Sequence, residues 1–230
     1  DLDSNYLKGK RVGVLNSSES SEIEKELIEK VKKVLEAKGA VIVDVEFNIS
    51  SDYKAAKEFY VLLYEFNVGM KNYLRGRDLP YETLEDIVAF NKANADIVLK
   101  HFGQEIFLES LKATDTERYL TEREDIGRLA KAQIDSVLKV NNLDVIIGLT
   151  RNPGWLTDLE NGDSRGDGGI SWANGGLSAV AGYPHITIPL DFVNDLPVGV
   201  SFLGTAWDEV NLINAAYSFE QENKFFPIPK

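Results

Sequence analysis

The first question that the side chains raise is whether they can supply a nucleophile. A lysine held neutral can activate a serine, and two serines stand three residues before a lysine, Ser51 before Lys54 and Ser136 before Lys139. Neither pair is followed by the Ser-Asp-Asn or Lys-Thr-Gly elements of penicillin-recognising enzymes. Ser136 and Lys139 also fall in a strongly charged helical stretch, where the ammonium group should be solvated. We therefore predict no catalytic role for either pair.

The few histidines and the absence of cysteine limit the catalytic triads and metal sites that the chain can form. The sequence has two histidines, His101 and His185, and no cysteine. A Ser-His-Asp triad would need one of these histidines, but no Gly-x-Ser-x-Gly elbow is present. The histidines lack His-x-x-x-His spacing, and the missing cysteines exclude thiolate zinc sites, iron–sulfur clusters and thiol nucleophiles. The sequence therefore predicts no metal site and no cofactor, with structural or surface roles for both histidines.

The segment from Arg151 to Gly176 is dense in glycine, asparagine, aspartate and serine. A loop of this length inside a compact domain is usually functional or disordered. Its glycines would let backbone N–H groups approach an anion, but no phosphate-binding glycine pattern is present. At this point, a loop that only spans a gap and a loop that faces a ligand both remain open.

The surrounding segments predict an α/β fold. Short apolar runs predict strands at Arg11–Leu15, Val41–Val45, Val145–Gly148, Ile186–Pro189 and Val198–Leu203. Helical spacing of apolar residues predicts helices from Ser21 to Gly39, Ala55 to Leu74, Thr83 to Ala95, Thr116 to Val140 and Asp208 to Glu222. The first strand, helix and strand should form a βαβ unit with parallel strands. No linker interrupts the chain, so we expect residues 1–230 to form a single α/β domain.

Composition and charge exclude further classes of protein. With 230 residues, 43% of them hydrophobic, the chain can bury a substantial core. The net charge of −12 repels phosphate backbones, so no nucleic-acid partner is expected. No apolar run approaches the ~18 residues that a membrane span needs, and no signal peptide is visible, so we expect no membrane partner and a cytoplasmic location. The chain begins without Met, which indicates processing or a piece of a longer protein.

Several runs of residues resemble the C-terminal region of the amidase signature family. They are Trp155 to Asp158, Asn161 to Asp163, Ala179 to Pro189, Leu196 to Gly204 and Ala216 to Gln221. Two upstream runs, Leu7 to Val14 and Leu62 to Phe66, are also similar, so the resemblance extends over essentially the whole chain. It implies the C-terminal portion of an amide C–N hydrolase that acts on a small-molecule amide. It also implies a mixed β-sheet of at least five strands, flanked by helices.

The same resemblance implies that the catalytic region is missing. Amidase signature enzymes carry a nucleophilic Ser, a bridging Ser and a Lys in a Gly/Ser-rich stretch of their N-terminal half, beside an oxyanion hole. No segment here matches that stretch; Gly168-Gly169-Ile170-Ser171 is similar only superficially. We therefore assign no catalytic residue and expect the chain alone to be inactive. The loop from Arg151 to Asn174 should form a substrate-facing wall. Its predicted substrate-binding residues are Asp163, Ser171, Trp172 and Asn174.

Two alternative functions remain open. The chain could be a stand-alone, non-catalytic binding module, which the residues encoded before Asp1 would decide. It could instead belong to an amidotransferase subunit that acts on misacylated tRNA together with partner chains, although the C-terminal runs are more similar to general amidases. If half of the fold is missing, an open sheet edge, for which Val198–Leu203 is the candidate, and an apolar face should promote homo-oligomers.

Overall fold

The computed structural model describes residues 1–16, 20–47, 58–160 and 175–226. The strands are β1 Arg11–Leu15, β2 Val41–Val45, β3 Val145–Leu149, β4 His185–Val193 and β5 Leu196–Leu203. The helices are α1 Glu22–Ala37, α2 Glu58–Leu74, α3 Leu84–Ala93, α4 Ala95–Val98, α5 Glu105–Ser110, α6 Thr116–Val140, α7 Gly176–Ala181 and α8 Glu209–Asn223. No helix in the described ranges has the length and apolar character needed to cross a bilayer.

The five strands of the described residues form one sheet in the order β2-β1-β3-β5-β4. β1 is parallel to both β2 and β3, whereas β5 is antiparallel to both of its neighbours. The parallel pairing of β1 and β2 across α1 is the predicted βαβ arrangement. The predicted α/β fold, with a mixed sheet flanked by helices, is therefore confirmed.

Helix α1 begins and ends at the residues that its sequence indicates. The Ser21 hydroxyl accepts a hydrogen bond from the Glu24 backbone N–H, and the Glu24 carboxylate accepts one from the Ser21 N–H at 2.7 Å. These bonds satisfy two of the backbone donors that every helix start leaves open. Beyond the helix, Gly39 has a φ of +72°, a conformation that glycine adopts without strain.

Two expectations about the last strands are wrong. Pro189 does not end its strand, because β4 continues to Val193 through a register shift between Pro189 and Asp191. Proline lacks an N–H, and an edge strand with a bulge tolerates it. β5 is not an edge, since it pairs with β3 on one side and with β4 on the other. The edges of the sheet are β2 and β4.

The chain divides into two compact units. The first contains Asp1–Tyr53, Gly127–Trp155 and Gly166–Lys230, and the second contains Lys54–Ile126 and Leu156–Arg165. The whole sheet belongs to the first unit, and helices α2 to α5 belong to the second. The expected single domain stays a prediction.

Two apolar clusters of the first unit lie on opposite faces of the sheet. The larger cluster joins α1 and α8 to alternate strand residues, among them Val12, Val14, Val145, Ile147, Val200 and Phe202. The smaller cluster joins α6 and α7 to the other face, through Ala130, Ile134, Ile146, Ala181 and Leu203. Successive strand residues point to opposite faces, so this alternation places a helical layer on each side of the sheet.

Side chains of α8 hold the N-terminal segment of the first unit. The Asn214 Oδ1 accepts a hydrogen bond from the Asp3 backbone N–H at 2.9 Å. The Ser218 hydroxyl donates to the Ser4 carbonyl oxygen at 2.8 Å, and both Asn214 and Ser218 are buried. Because these two residues lie four positions apart on one helix, they present their polar groups on the same face.

The second unit exposes many apolar side chains. In α2 the buried residues are Val61 and Leu74, whereas Phe59 and Leu62 are 51% and 55% exposed. A stacked pair, Tyr64 and Tyr119, with ring centroids 4.2 Å apart, joins α2 to α6. An apolar helix is usually buried, so this exposed surface is suited to a contact with further protein.

Candidate functional site

The four predicted substrate-binding residues fall in residues 161–174, outside the described residues. Asp163, Ser171, Trp172 and Asn174 therefore keep the status of predictions. The chain is described up to Glu160 and again from Gly175, and the sheet of the first unit carries groups suited to binding a substrate.

Three hydroxyl side chains meet on the sheet beside the end of β3. Thr150 directly follows β3, Ser201 lies on β5, and Thr187 lies opposite Ser201 on β4. The Oγ1 atom of Thr150 is 2.7 Å from the Ser201 Oγ, and the Oγ1 atom of Thr187 is 3.1 Å from the same Oγ. Ser201 is fully buried, Thr150 is half-buried and Thr187 is exposed. We call Thr150, Ser201 and Thr187 the hydroxyl row.

The absence of a side chain at Gly199 leaves room for the two threonines of the hydroxyl row. A Cβ atom at Gly199 would lie 2.8 Å from the Thr187 Cγ2 and 3.0 Å from the Thr150 Oγ1. The backbone is equally close, since the Thr150 N–H donates to the Gly199 carbonyl oxygen at 3.0 Å. A glycine inside a strand often marks such a close approach. Any larger side chain at this position would push the two threonines away from their present places.

The position of the hydroxyl row in the sheet is typical of a ligand site. Ser201 shares a sheet face with Leu203, two residues further along β5, and therefore with the smaller apolar cluster. In the sheet, β2 lies on one side of β1 and β3 lies on the other. The direction in which the chain adds strands therefore reverses at β1, which is called a topological switch point. In open α/β sheets, ligands bind beyond the carboxyl ends of strands at such a switch point, and Thr150 stands at the carboxyl end of β3.

The two histidines lie in different surroundings. His185 begins β4, is half-buried, and precedes Thr187 by two residues on the same face. Its ring lies close to Gly175, where a Cβ atom would be 3.5 Å from the imidazole Cε1. His101 is exposed, as expected for a surface histidine. His185 therefore lies next to the hydroxyl row, although the sequence indicates only a structural or surface role for it.

A second polar cluster ties α6 to the segments that precede β4 and follow β5. The Tyr183 hydroxyl donates to the Asp135 Oδ2 at 2.8 Å, and the Thr205 hydroxyl donates to the Asp135 Oδ1 at 3.1 Å. Partial burial raises the pKa of Tyr183, and its hydrogen bond to Asp135 acts in the same direction. The phenol therefore stays protonated at neutral pH and serves as a donor that positions α6.

The described residues do not assemble a serine–lysine pair. Ser136 and Lys139 are both exposed on α6, whereas Ser51 and Lys54 lie outside the described residues, and the absence of a catalytic role for either pair stays a prediction. Within the same described ranges, no group of three His, Asp or Glu side chains is arranged to hold a metal ion. What this part of the chain offers chemically is neutral hydrogen bonding by hydroxyl groups at the carboxyl end of β3.

Sequence comparison relates this chain to a family of known proteins. The family model described as Amidase matches residues 2–213. A probable amidase from Arabidopsis thaliana is 27% identical over 237 residues, which cover 100% of this chain and 41% of that protein. A glutamyl-tRNA(Gln) amidotransferase subunit from Exiguobacterium sibiricum is 29% identical over 223 residues, which cover 91% of this chain and 44% of that protein.

A solved structure is also similar to this chain. The native peptide amidase from Stenotrophomonas maltophilia superposes with a TM-score of 0.85 at 34% sequence identity. The match covers 99% of this chain and 46% of that enzyme. The chain thus spans less than half the length of each of these three proteins.

Proposed function

Since the chain belongs to the amidase family, we propose that it forms the C-terminal part of an enzyme that hydrolyses amide C–N bonds. The observation that carries this proposal is the 34% identity and TM-score of 0.85 over 99% of the chain with a peptide amidase. In the family, the nucleophilic Ser, the bridging Ser and the Lys belong to the N-terminal half. Residues 1–230 would supply the sheet and one wall of the substrate pocket.

The proposed substrate is a small-molecule amide, and more narrowly a peptide amide. The enzyme from Stenotrophomonas maltophilia is a peptide amidase, and the similarity to it supports this narrower class. Asp163, Ser171, Trp172 and Asn174 are proposed to contact that substrate from the loop after β3. Tryptophan supplies an apolar wall, and asparagine can both donate to and accept from an amide group.

A second candidate is an amidotransferase subunit that acts on misacylated tRNA. The 29% identity over 91% of the chain with a glutamyl-tRNA(Gln) amidotransferase subunit favours it. The net charge of −12 weighs against tRNA binding by this chain itself, because an acidic surface repels phosphates. We therefore place the peptide amidase function first.

The two candidates differ in what the whole protein needs in order to release ammonia. We expect the whole protein encoded by the gene to release ammonia from a C-terminally amidated dipeptide without tRNA or partner chains. Glutamine with misacylated tRNA, with and without partner chains, serves as the comparison substrate. Ammonia release only from glutamine, and only with partner chains present, would overturn the peptide amidase proposal and favour the amidotransferase.

We also propose that residues 1–230 associate with themselves. The exposed apolar side chains of α2 and the edge strands β2 and β4 are surfaces that a second copy could cover. The charge of −12 opposes association, but physiological salt screens charges beyond about 8 Å. Sedimentation velocity at increasing concentration should show a rising mean mass. A strict monomer at every concentration would contradict the proposal.

A further inference from the structure

The hydroxyl row contains one O–H group more than it uses. Each of its three hydroxyls carries one proton, whereas the row holds two hydrogen bonds. If both threonines donated to Ser201, the fully buried Ser201 proton would remain unused, which is destabilising. The bonds therefore run in one direction along the row. The spare O–H belongs to Thr187 in one direction and to Thr150 in the other.

Thr187 is the end of the row that a ligand can reach, since it is exposed whereas Thr150 is half-buried. When the bonds run from Thr150 through Ser201, the Thr187 hydroxyl is free to donate to a ligand. When they run the other way, Thr187 donates to Ser201 and keeps its lone pairs for a ligand N–H. The same side chain can thus serve as a donor or as an acceptor.

We propose that Thr187, oriented by Ser201 and Thr150, binds the carboxamide group of the substrate. A carboxamide carries a carbonyl acceptor and N–H donors, so either direction of the row offers it a partner. A carboxylate can only accept, and an ammonium group can only donate, so each would fit one direction alone. This inference rests on the proposed amide substrate and adds to it a residue that recognises that group.

The experiment compares Thr187→Val with the unchanged whole protein. Valine keeps the shape of threonine and removes the hydroxyl, and a lost neutral hydrogen bond weakens binding about 3- to 10-fold. We expect KM for an amidated dipeptide to rise by that factor while kcat is unchanged, because the contact forms equally in the ground and transition states. Thr187→Ser should restore KM, since serine keeps the hydroxyl.

Thr205→Val is the matched control. It removes a hydroxyl outside the row, two residues after the end of β5, whose bond to Asp135 also has a length of 3.1 Å. KM should be unchanged in this variant. Thermal unfolding of every variant verifies that the fold is retained, and Thr150→Val should raise KM less than Thr187→Val because it only positions the row.

Equilibrium binding of the same dipeptide amide, measured by calorimetry, separates this inference from the proposed function. If the unchanged protein binds the dipeptide but does not hydrolyse it, and Thr187→Val weakens this binding, the result would support the role of Thr187 and contradict the proposed amidase function. Suppose that the unchanged protein hydrolyses the dipeptide and that Thr187→Val has the same KM and the same affinity. This result would contradict the role of Thr187 in binding and would support the proposed amidase function. If the unchanged protein neither binds nor hydrolyses the dipeptide, both proposals fall.

Discussion

Purified residues 1–230 are expected to hydrolyse peptide and aryl amides at a rate at least about 10⁶-fold below that of the whole enzyme. Amide hydrolysis needs an activated nucleophile, a proton relay and donors aimed at the oxyanion. The described residues bring no serine hydroxyl into hydrogen-bond contact with a lysine. A substrate wall that binds ground and transition states equally cannot replace these groups.

The control for this prediction is Ser171→Ala, which tests the serine of the Gly168-Gly169-Ile170-Ser171 run. Turnover by residues 1–230 that this substitution abolishes would show that Ser171 is a nucleophile and that the prediction is wrong. The whole protein supplies the reference rate. If the gene encodes no segment with the family's Ser/Lys stretch, the non-catalytic binding module becomes the better interpretation.

Phe219→Ala is expected to lower the free energy of unfolding by about 3–5 kcal/mol. The Phe219 side chain on α8 is fully buried and meets Phe202 of β5 edge to face, with ring centroids 5.7 Å apart. Truncation removes apolar area and leaves a cavity between helix and sheet, where close packing limits collapse. Urea unfolding followed by far-ultraviolet circular dichroism measures the change.

Phe192→Ala is the matched control for this prediction. Phe192 also meets another ring edge to face, that of Phe225 at 5.0 Å, but it is 44% exposed. We expect its truncation to lower the free energy of unfolding by less than about 1 kcal/mol, because an exposed ring leaves no cavity. Equal losses in the two variants would contradict burial as the source of the difference.

The sequence predicts those elements of the fold whose signals are local. The capping box at Ser21 and Glu24 determines the start of α1 through bonds between near neighbours. The order of strands depends on long-range packing, and for that reason the expectation that Val198–Leu203 forms an edge is wrong. A proline such as Pro189 is compatible with either the end of a strand or a bulge in an edge strand. Which of the two forms depends on the pairing with the neighbouring strand.

The candidate site is less predictable than the fold. Thr150, Thr187 and Ser201 lie far apart in the sequence, and only strand register brings them together. One local signal exists: Gly199 stands inside an apolar strand run, where glycine often indicates a close approach. The loop residues Asp163, Ser171, Trp172 and Asn174 rest on a resemblance and remain a prediction.

The bonds between α8 and the N-terminal segment have a consequence for the order of folding during synthesis. Asp3 and Asn214 are separated by 211 positions, and Ser4 and Ser218 by 214. Because the ribosome releases the chain from its N-terminus, residues 3 and 4 cannot form these hydrogen bonds until almost all of the described chain has emerged. Residues 58–126 of the second unit are continuous in sequence and can fold earlier, since their contacts close shorter loops. A ribosome stalled before α8 would therefore carry a folded second unit beside a first unit whose N-terminal segment is still unanchored.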